Sequence, residues 1–393
     1  MTFSFRLLGL FGLSLLMSQA LLAQKPKTIL GIAKEVQPVS YYKEQSGLWQ
    51  KELKSNPKNT EAWINHYRAE RAILQIEQPE LWSDGKDNFY AKLNPILSKA
   101  KAQIGNTFDY QYIKGMNTPR AEAIPHFAKA YSIDPDRPEV YGWLLAVYVP
   151  EFETEKLKDL APRMLKSNIY SNASLKWNYN ALQSIDPNGI ILTNGDTDSM
   201  QKWVLQYGAG VRPDVMVVNK WFLATESAYR SAILKKLRMG APAKSQKDFS
   251  DIGAYADYLA AMVLQGTNRP AYISGGTDLE YFKKYGLENK MYVVGNVIRY
   301  SAQPFDNTAA MRENFEQKYY MDYLLQNFQS HPEDEMVKKR MNLTYLPALI
   351  HLRDYYASTG QKSLYKRCLK FIDRITEDSG RKEEVLGWFD RGE

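Results

Sequence analysis

Apolar residues recur at three- and four-residue spacing from residue 40 to about residue 183, and almost no stretch there alternates between apolar and polar positions. This spacing puts apolar side chains on one face of successive helices, so it predicts an all-helical region. At Asp186-Pro187-Asn188-Gly189, a turn signal, the pattern changes to short apolar runs between helical stretches. We therefore expect a helical region at 24–185, an α/β unit at 186–305 and a second helical region at 306–393.

One part of the helical front has a more specific spacing. Ala123, Phe127, Ala130 and Pro135 stand at offsets of four, three and five residues, which resembles the second helix of a tetratricopeptide repeat. The next first helix would carry its large residues at Tyr141, Leu144 and Tyr148, and the C-terminal region has a weaker echo at Leu349, Leu352 and Tyr356. The resemblance implies a surface that binds partner proteins. An irregular helical layer that supports the centre is the alternative.

The central unit alternates short β-branched runs with helical stretches. The predicted strands are Ile190–Thr193, Asp214–Val218, Ala271–Ser274 and Met291–Val294. Strands separated by helices favour a parallel sheet with right-handed crossovers. The predicted fold class is therefore α/β plus all-α, with a small parallel-sheet unit flanked by tetratricopeptide-like helical hairpins.

Two of these strands are followed by glycine and acidic residues, Asp196 and Asp198 after the first strand and Asp278 after the third. Ligands of open parallel sheets bind at the carboxyl ends of strands, so these carboxylates could converge on a cation, sugar hydroxyls or an amine. Helix capping is the alternative, because Asp198 with Gln201 has capping-box spacing.

Composition argues against several kinds of site and partner. The single cysteine, Cys368, excludes an intramolecular disulfide and a multi-cysteine zinc site, and the four histidines lie in helical regions or their connections, where hydrogen-bonded or exposed roles are expected. The net charge of +7 is spread along the chain, so nucleic acid is not predicted as a partner. Phosphate-binding and dinucleotide-binding glycine patterns are missing from both acidic loops, and no cofactor is predicted.

The N-terminus has the pattern of a secretory signal peptide, 1–23. Arg6 precedes the apolar run Leu7 to Leu16, and Ala20 and Ala23 are small residues suited to cleavage before Gln24. An uncleaved anchor is the alternative. Later segments lack the long apolar stretch that a membrane-spanning helix needs. We expect an exported, periplasmic or envelope-associated chain with no transmembrane segment once the leader is removed.

A second resemblance covers about 190 to 375. Leu192-Thr-Asn-Gly-Asp-Thr-Asp-Ser199, Trp203 and Val211-Arg-Pro-Asp-Val-Met-Val-Val-Asn219 resemble the extracytoplasmic part of a bacterial family of multi-spanning membrane proteins related to protein O-mannosyltransferases. Arg212 and Asn219 match motif positions, as do Asp196 and Asp198. Thr197 and Val204 depart from the pattern, and the membrane portion that would carry the catalytic acid is missing, so the resemblance implies no catalytic residue.

These observations favour a binding or scaffold protein over an enzyme. The helical repeats would contact partner proteins in envelope assembly, secretion or glycan handling. A candidate site for a glycan or small polar ligand consists of Asp196, Asp198, Asp278, Arg212 and Asn219. The alternative is a carbohydrate-active enzyme, or a sugar- or metal-binding protein, that uses the acidic loops at the strand ends.

Overall fold

The computed structural model describes residues 25–30, 32, 36–83, 86–277, 280–326 and 331–390. The predicted signal peptide and Asp278 lie outside these residues. The contacts divide the chain into two compact units, residues 1–140 and 141–393. The boundaries expected from the sequence at 185 and 305 fall inside the second unit and stay predictions of domain organisation.

Helices form the described part of the first unit, as predicted. They are α1 (Val39–Ser55), α2 (Thr60–Glu77), α3 (Glu80–Ser83), α4 (Lys86–Ile104), α5 (Phe108–Met116) and α6 (Arg120–Ile133), followed by a 3-10 turn at Pro138–Val140. Helix α1 packs on α2, and α5 packs on α6. Ala123, Phe127 and Ala130 are buried on α6. A Cβ atom at Gly115 of α5 would lie 2.6 Å from the Phe127 ring, so glycine allows this close approach. The tetratricopeptide assignment stays a prediction.

The second unit begins with three helices and continues into the sheet. Its elements as far as the last strand are α7 (Tyr141–Tyr148), α8 (Thr154–Lys166), α9 (Asn172–Gln183), β1 (Ile190–Thr193), α10 (Asp196–Ala209), β2 (Met216–Asn219), α11 (Lys220–Thr225), α12 (Ser227–Lys236), α13 (Ile252–Gly266), β3 (Ala271–Ser274), α14 (Glu280–Lys283), β4 (Met291–Val293) and β5 (Val297–Tyr300), with 3-10 turns at Gln246–Asp248 and Glu288–Lys290. All four residues of β1 and of β3 are buried. Burial of both faces explains why these strands are continuous apolar runs.

The five strands form one sheet in the order β2-β1-β3-β5-β4. The first three strands pair in parallel, with Ile190 opposite Met216 and Ala271. Strand β5 pairs antiparallel with both β3 and β4. The α/β plus all-α class is confirmed, but the sheet is mixed rather than wholly parallel, because the unpredicted strand β5 turns back directly after β4.

The chain after the sheet is again helical. It contains α15 (Asn307–Glu313), α16 (Asp334–Met336), α17 (Leu346–Ser358), α18 (Lys362–Ser379) and α19 (Lys382–Asp390), with π-helical turns at Asn314–Lys318 and Val337–Met341 and 3-10 turns at Asp322–Leu325 and Asn342–Tyr345. Helix α17 packs on α18. Cys368 of α18 is 0% exposed, and burial raises the pKa of its thiol to about 12. The C-terminal helical hairpin therefore encloses an inert thiol.

Within the described residues, no helix combines the length and the apolar character that crossing a membrane requires.

Candidate functional site

The candidate site lies where β1 and β3 end side by side. The chain leaves β1 towards β2 on one side of the sheet and leaves β3 towards β4 and β5 on the other side. Such a reversal between neighbouring parallel strands opens a crevice at their carboxyl ends. We call the residues 194–198 and 275–277, with Trp221, the carboxyl-edge site. The Asn194 Nδ2 atom donates to Thr277 Oγ1 at 2.6 Å, which joins the two loops.

The two acidic residues of the first loop have different roles. Asp198 accepts hydrogen bonds from the backbone N–H groups of Asn194 and Gly195 at 2.9 and 2.8 Å. It therefore caps the start of α10, from the third helical position rather than as the predicted partner of Gln201. The Asp196 side chain is exposed and makes no hydrogen bond with a described residue. Asp196 is free to contact a ligand, and Asp278 lies outside the described residues.

Asn219 ends β2 and begins α11. Its Oδ1 atom accepts from the N–H groups of Trp221 and Phe222 at 2.8 and 3.1 Å, and its Nδ2 atom donates to Ser199 Oγ at 2.8 Å. The Ser199 hydroxyl also lies 2.6 Å from Thr193 Oγ1. Asn219 is 2% exposed. Both polar ends of this side chain are used within the protein, and its role is helix capping.

Arg212 lies at the opposite end of the sheet. It forms a bidentate ion pair with Asp214, at 2.9 and 2.8 Å, just before β2. It also donates to the carbonyls of Leu182 and Asp186. The hydrogen bonds from Arg212 hold the pKa of Asp214 far below its usual range. The structure thus brings Asp196, Asp198 and Asn219 to one end of the sheet and places Arg212 at the other.

Two residues that the sequence did not indicate, Trp221 and Ser274, lie near the carboxyl ends of β2 and β3. The Trp221 indole N–H donates to the Asn194 carbonyl at 2.5 Å while its side chain remains 37% exposed. The buried atoms Asn194 Oδ1 and Ser274 Oγ have no hydrogen-bond partner among the described residues. Unsatisfied buried polar atoms are uncommon in native proteins, and ordered water is their usual partner. Asn194 belongs to the motif Leu192 to Ser199 described in the sequence analysis. No pattern in the sequence predicted that Trp221 would lie beside it.

A buried lysine lies behind the first loop. Lys202 is 0% exposed, and its ammonium group donates to Asn178 Oδ1 at 2.7 Å and to the Asp198 carbonyl at 2.6 Å. It also lies 4.9 Å from the centre of the Trp177 ring. Burial lowers the pKa of Lys202 to about 8, although the Asp198 carboxylate opposes this shift. The lysine therefore belongs to the support of the site rather than to its surface.

The histidines and acidic residues provide no further centre. Each histidine has a hydrogen-bond partner: Ser46 for His66, Gln111 for His126, Asn168 for His331 and Thr308 for His351. The described part of the chain contains no group of three or more histidine, cysteine or acidic side chains placed to hold a metal ion. The carboxyl-edge site can therefore offer a ligand hydrogen bonds and contact with an aromatic side chain.

Comparison with known proteins finds a family match for the centre of the chain. No curated protein matches the chain. The family described as TMEM260-associated domain 2 matches residues 174–353, which is less than half of the 393 residues. The matched segment runs from α9 into α17 and contains all five strands and the carboxyl-edge site. It agrees with the resemblance to a family related to protein O-mannosyltransferases, so the central part of this chain is similar to a TMEM260-associated domain.

Proposed function

We propose that this chain is an exported binding protein whose carboxyl-edge site takes a sugar unit of a glycan. The observation that carries the proposal is the exposed Trp221 ring, fixed to the Asn194 carbonyl two residues before the free carboxylate of Asp196. A flat aromatic face covers the apolar face of a pyranose, and neighbouring acceptors bind its hydroxyls. The similarity to a TMEM260-associated domain supports a role in glycan handling.

The polar groups of the site suit a neutral ligand rich in hydroxyl groups. Asp196 offers an exposed carboxylate that accepts hydrogen bonds, whereas Asn194 Oδ1 and Ser274 Oγ are buried and would reach a ligand only if their side chains moved. Charge-assisted hydrogen bonds to a carboxylate are stronger than neutral ones, so Asp196 would contribute most of the polar affinity. Trp221 would supply apolar contact and fix the orientation of the ring.

The binding test uses isothermal titration calorimetry of the mature chain with a panel of neutral pyranoses, including mannose, glucose and N-acetylglucosamine. We expect at least one sugar to bind, and Trp221→Ala to weaken that binding about tenfold or more, which is about 1.4 kcal/mol. Trp143→Ala is the matched control, because Trp143 is also exposed, at 43%, but lies on α7. Absence of binding by every sugar, or unchanged affinity in Trp221→Ala, would falsify the proposal.

A second comparison separates binding from capping within the first loop. We expect Asp196→Asn to weaken sugar binding and to lower the melting temperature less than Asp198→Asn does, because the Asp196 side chain has no hydrogen-bond partner among the described residues and contributes only its charge near the start of α10. Asp198→Asn should destabilise the fold by about 1 kcal/mol, because it weakens the cap of α10. Equal loss of stability in both variants would show that Asp196 is structural as well.

The helical regions would supply contacts to partner proteins in the cell envelope. Support comes from the tetratricopeptide-like spacing at Ala123, Phe127 and Ala130 on α6 and from the packing of α6 on α5. An affinity pull-down of the tagged mature protein from envelope extract should recover a protein partner. Recovery of none would count against this part of the proposal while leaving sugar binding open to its own test.

A further inference from the structure

A second pocket lies at the amino end of β2, away from the carboxyl-edge site. It has a volume of about 310 Å³. Its walls come from the turn after α7, from α10, from the segment before β2 and from α12, and Arg269 closes it just before β3. Pockets for small molecules range from about 300 to 1,000 Å³, so this one suits a ligand built on a single ring.

One wall of this pocket is aromatic and contains a strained residue. Phe152 stacks on Tyr229 with ring centres 5.6 Å apart and planes inclined by 14°. Phe152 has a φ angle of +58°, a left-handed conformation that bulky residues rarely adopt. Such strain costs about 1 to 3 kcal/mol and clusters at ligand sites. Here the strained backbone holds a ring against the pocket.

The charged groups of the pocket leave an excess of positive charge. The Lys236 ammonium lies 4.0 Å from the centre of the Phe152 ring. Among the described residues, neither Lys236 nor Arg269 has a carboxylate partner. The acidic lining residue, Asp214, is already neutralised by its two hydrogen bonds from Arg212. The Lys236 side chain is exposed at the rim, and partial desolvation lowers its pKa.

We propose that this pocket binds a small organic anion whose carboxylate or phosphate lies next to a flat ring. The anionic group would pair with Lys236 and Arg269, and the ring would lie at the aromatic wall that Phe152 and Tyr229 form. The proposal does not depend on sugar binding at the carboxyl-edge site, because the two sites lie at opposite ends of the sheet and share no residue.

The probes are benzoate and phenyl phosphate, titrated into the mature chain by calorimetry at low ionic strength. Benzyl alcohol supplies a ring without charge, and acetate and inorganic phosphate supply charge without a ring. We expect at least one ring-bearing anion to bind about tenfold or more tightly than all three control compounds. The tighter binder of benzoate and phenyl phosphate then shows whether the pocket prefers a carboxylate or a phosphate. No binding by any ring-bearing anion, or equal binding of benzyl alcohol, contradicts the proposal.

Substitutions locate the binding. Lys236→Gln and Arg269→Gln should each weaken the anion about tenfold, because each removes one partner charge. Lys235→Gln is the matched control, one position along α12 and outside the pocket lining. Phe152→Gly relieves the positive φ angle and removes the ring, so it should weaken binding whatever it does to the melting temperature. Trp221→Ala should leave anion affinity unchanged. Unaltered affinity in both glutamine variants overturns the assignment.

Discussion

The pKa of the buried lysine Lys202 is set by its surroundings in the fold and cannot be read from the sequence. Its ammonium group has no exposed surface and no carboxylate partner among the described residues, and it is held by a side-chain amide and a backbone carbonyl. These neutral acceptors replace only part of the hydration lost on burial. The pKa therefore falls to about 8, well below the value near 10.4 of a free lysine.

This shift predicts a pH dependence of stability. Because the folded pKa lies below the unfolded one, the unfolded chain holds more protons between the two values, and the free energy of unfolding rises with pH in that window. Urea unfolding from about pH 7.5 to about pH 9.5 should show this rise. Lys202→Met should flatten it, whereas the exposed Lys166→Met should not. The same slope in Lys202→Met and the wild type would contradict the shifted pKa.

At the scale of elements, Arg212 connects the segment before β1 with the segment before β2, which is an edge strand of the sheet. One side chain reaches the carbonyls of Leu182 and Asp186 before β1 and the carboxylate of Asp214 before β2. Bidentate pairing with a carboxylate needs the planar guanidinium, which lysine lacks. The strands β1 and β2 are thus held in register from their amino ends.

We expect Arg212→Lys to lower the free energy of unfolding by about 1 kcal/mol, because several partly buried acceptors lose their donor. Sugar affinity at the carboxyl-edge site should persist in the folded protein. Arg238→Lys is the control, because Arg238 shares a positive φ angle, +57°, but its side chain is exposed. Thermal unfolding measures both variants, and equal stability of the two would show that the Arg212 contacts contribute little.

The same scale shows what sequence could predict. Apolar runs such as Ile190–Thr193 indicated four strands, and topology then placed Asp196 and Asp198 at a carboxyl end. Strand β5 was missed, because a run of four residues directly after β4 acquires its identity only from pairing with β3. Trp221 was missed for a similar reason, since it meets Asn194 only through the pairing of β1 and β2. Local patterns predict elements, whereas cross-strand neighbours depend on the fold.

For the whole molecule, the sequence begins with the pattern of a secretory signal at residues 1–23. We predict that the full chain, expressed in a Gram-negative host, is recovered from the periplasm with Gln24 as its first residue. N-terminal sequencing of the periplasmic product checks the cleavage position. A full-length product that stays with the membrane would favour the uncleaved anchor, and a full-length cytosolic product would contradict export.

The buried Cys368 makes it possible to measure how fast the C-terminal helical hairpin opens. Alkylating reagents attack the thiolate, and a buried thiol whose pKa is raised to about 12 presents almost none near neutral pH. Modification must then wait until the hairpin of α17 and α18 opens. Because the chain has one cysteine, the rate at which Cys368 is alkylated measures how often the hairpin opens. No other thiol contributes to the signal, and no probe has to be engineered.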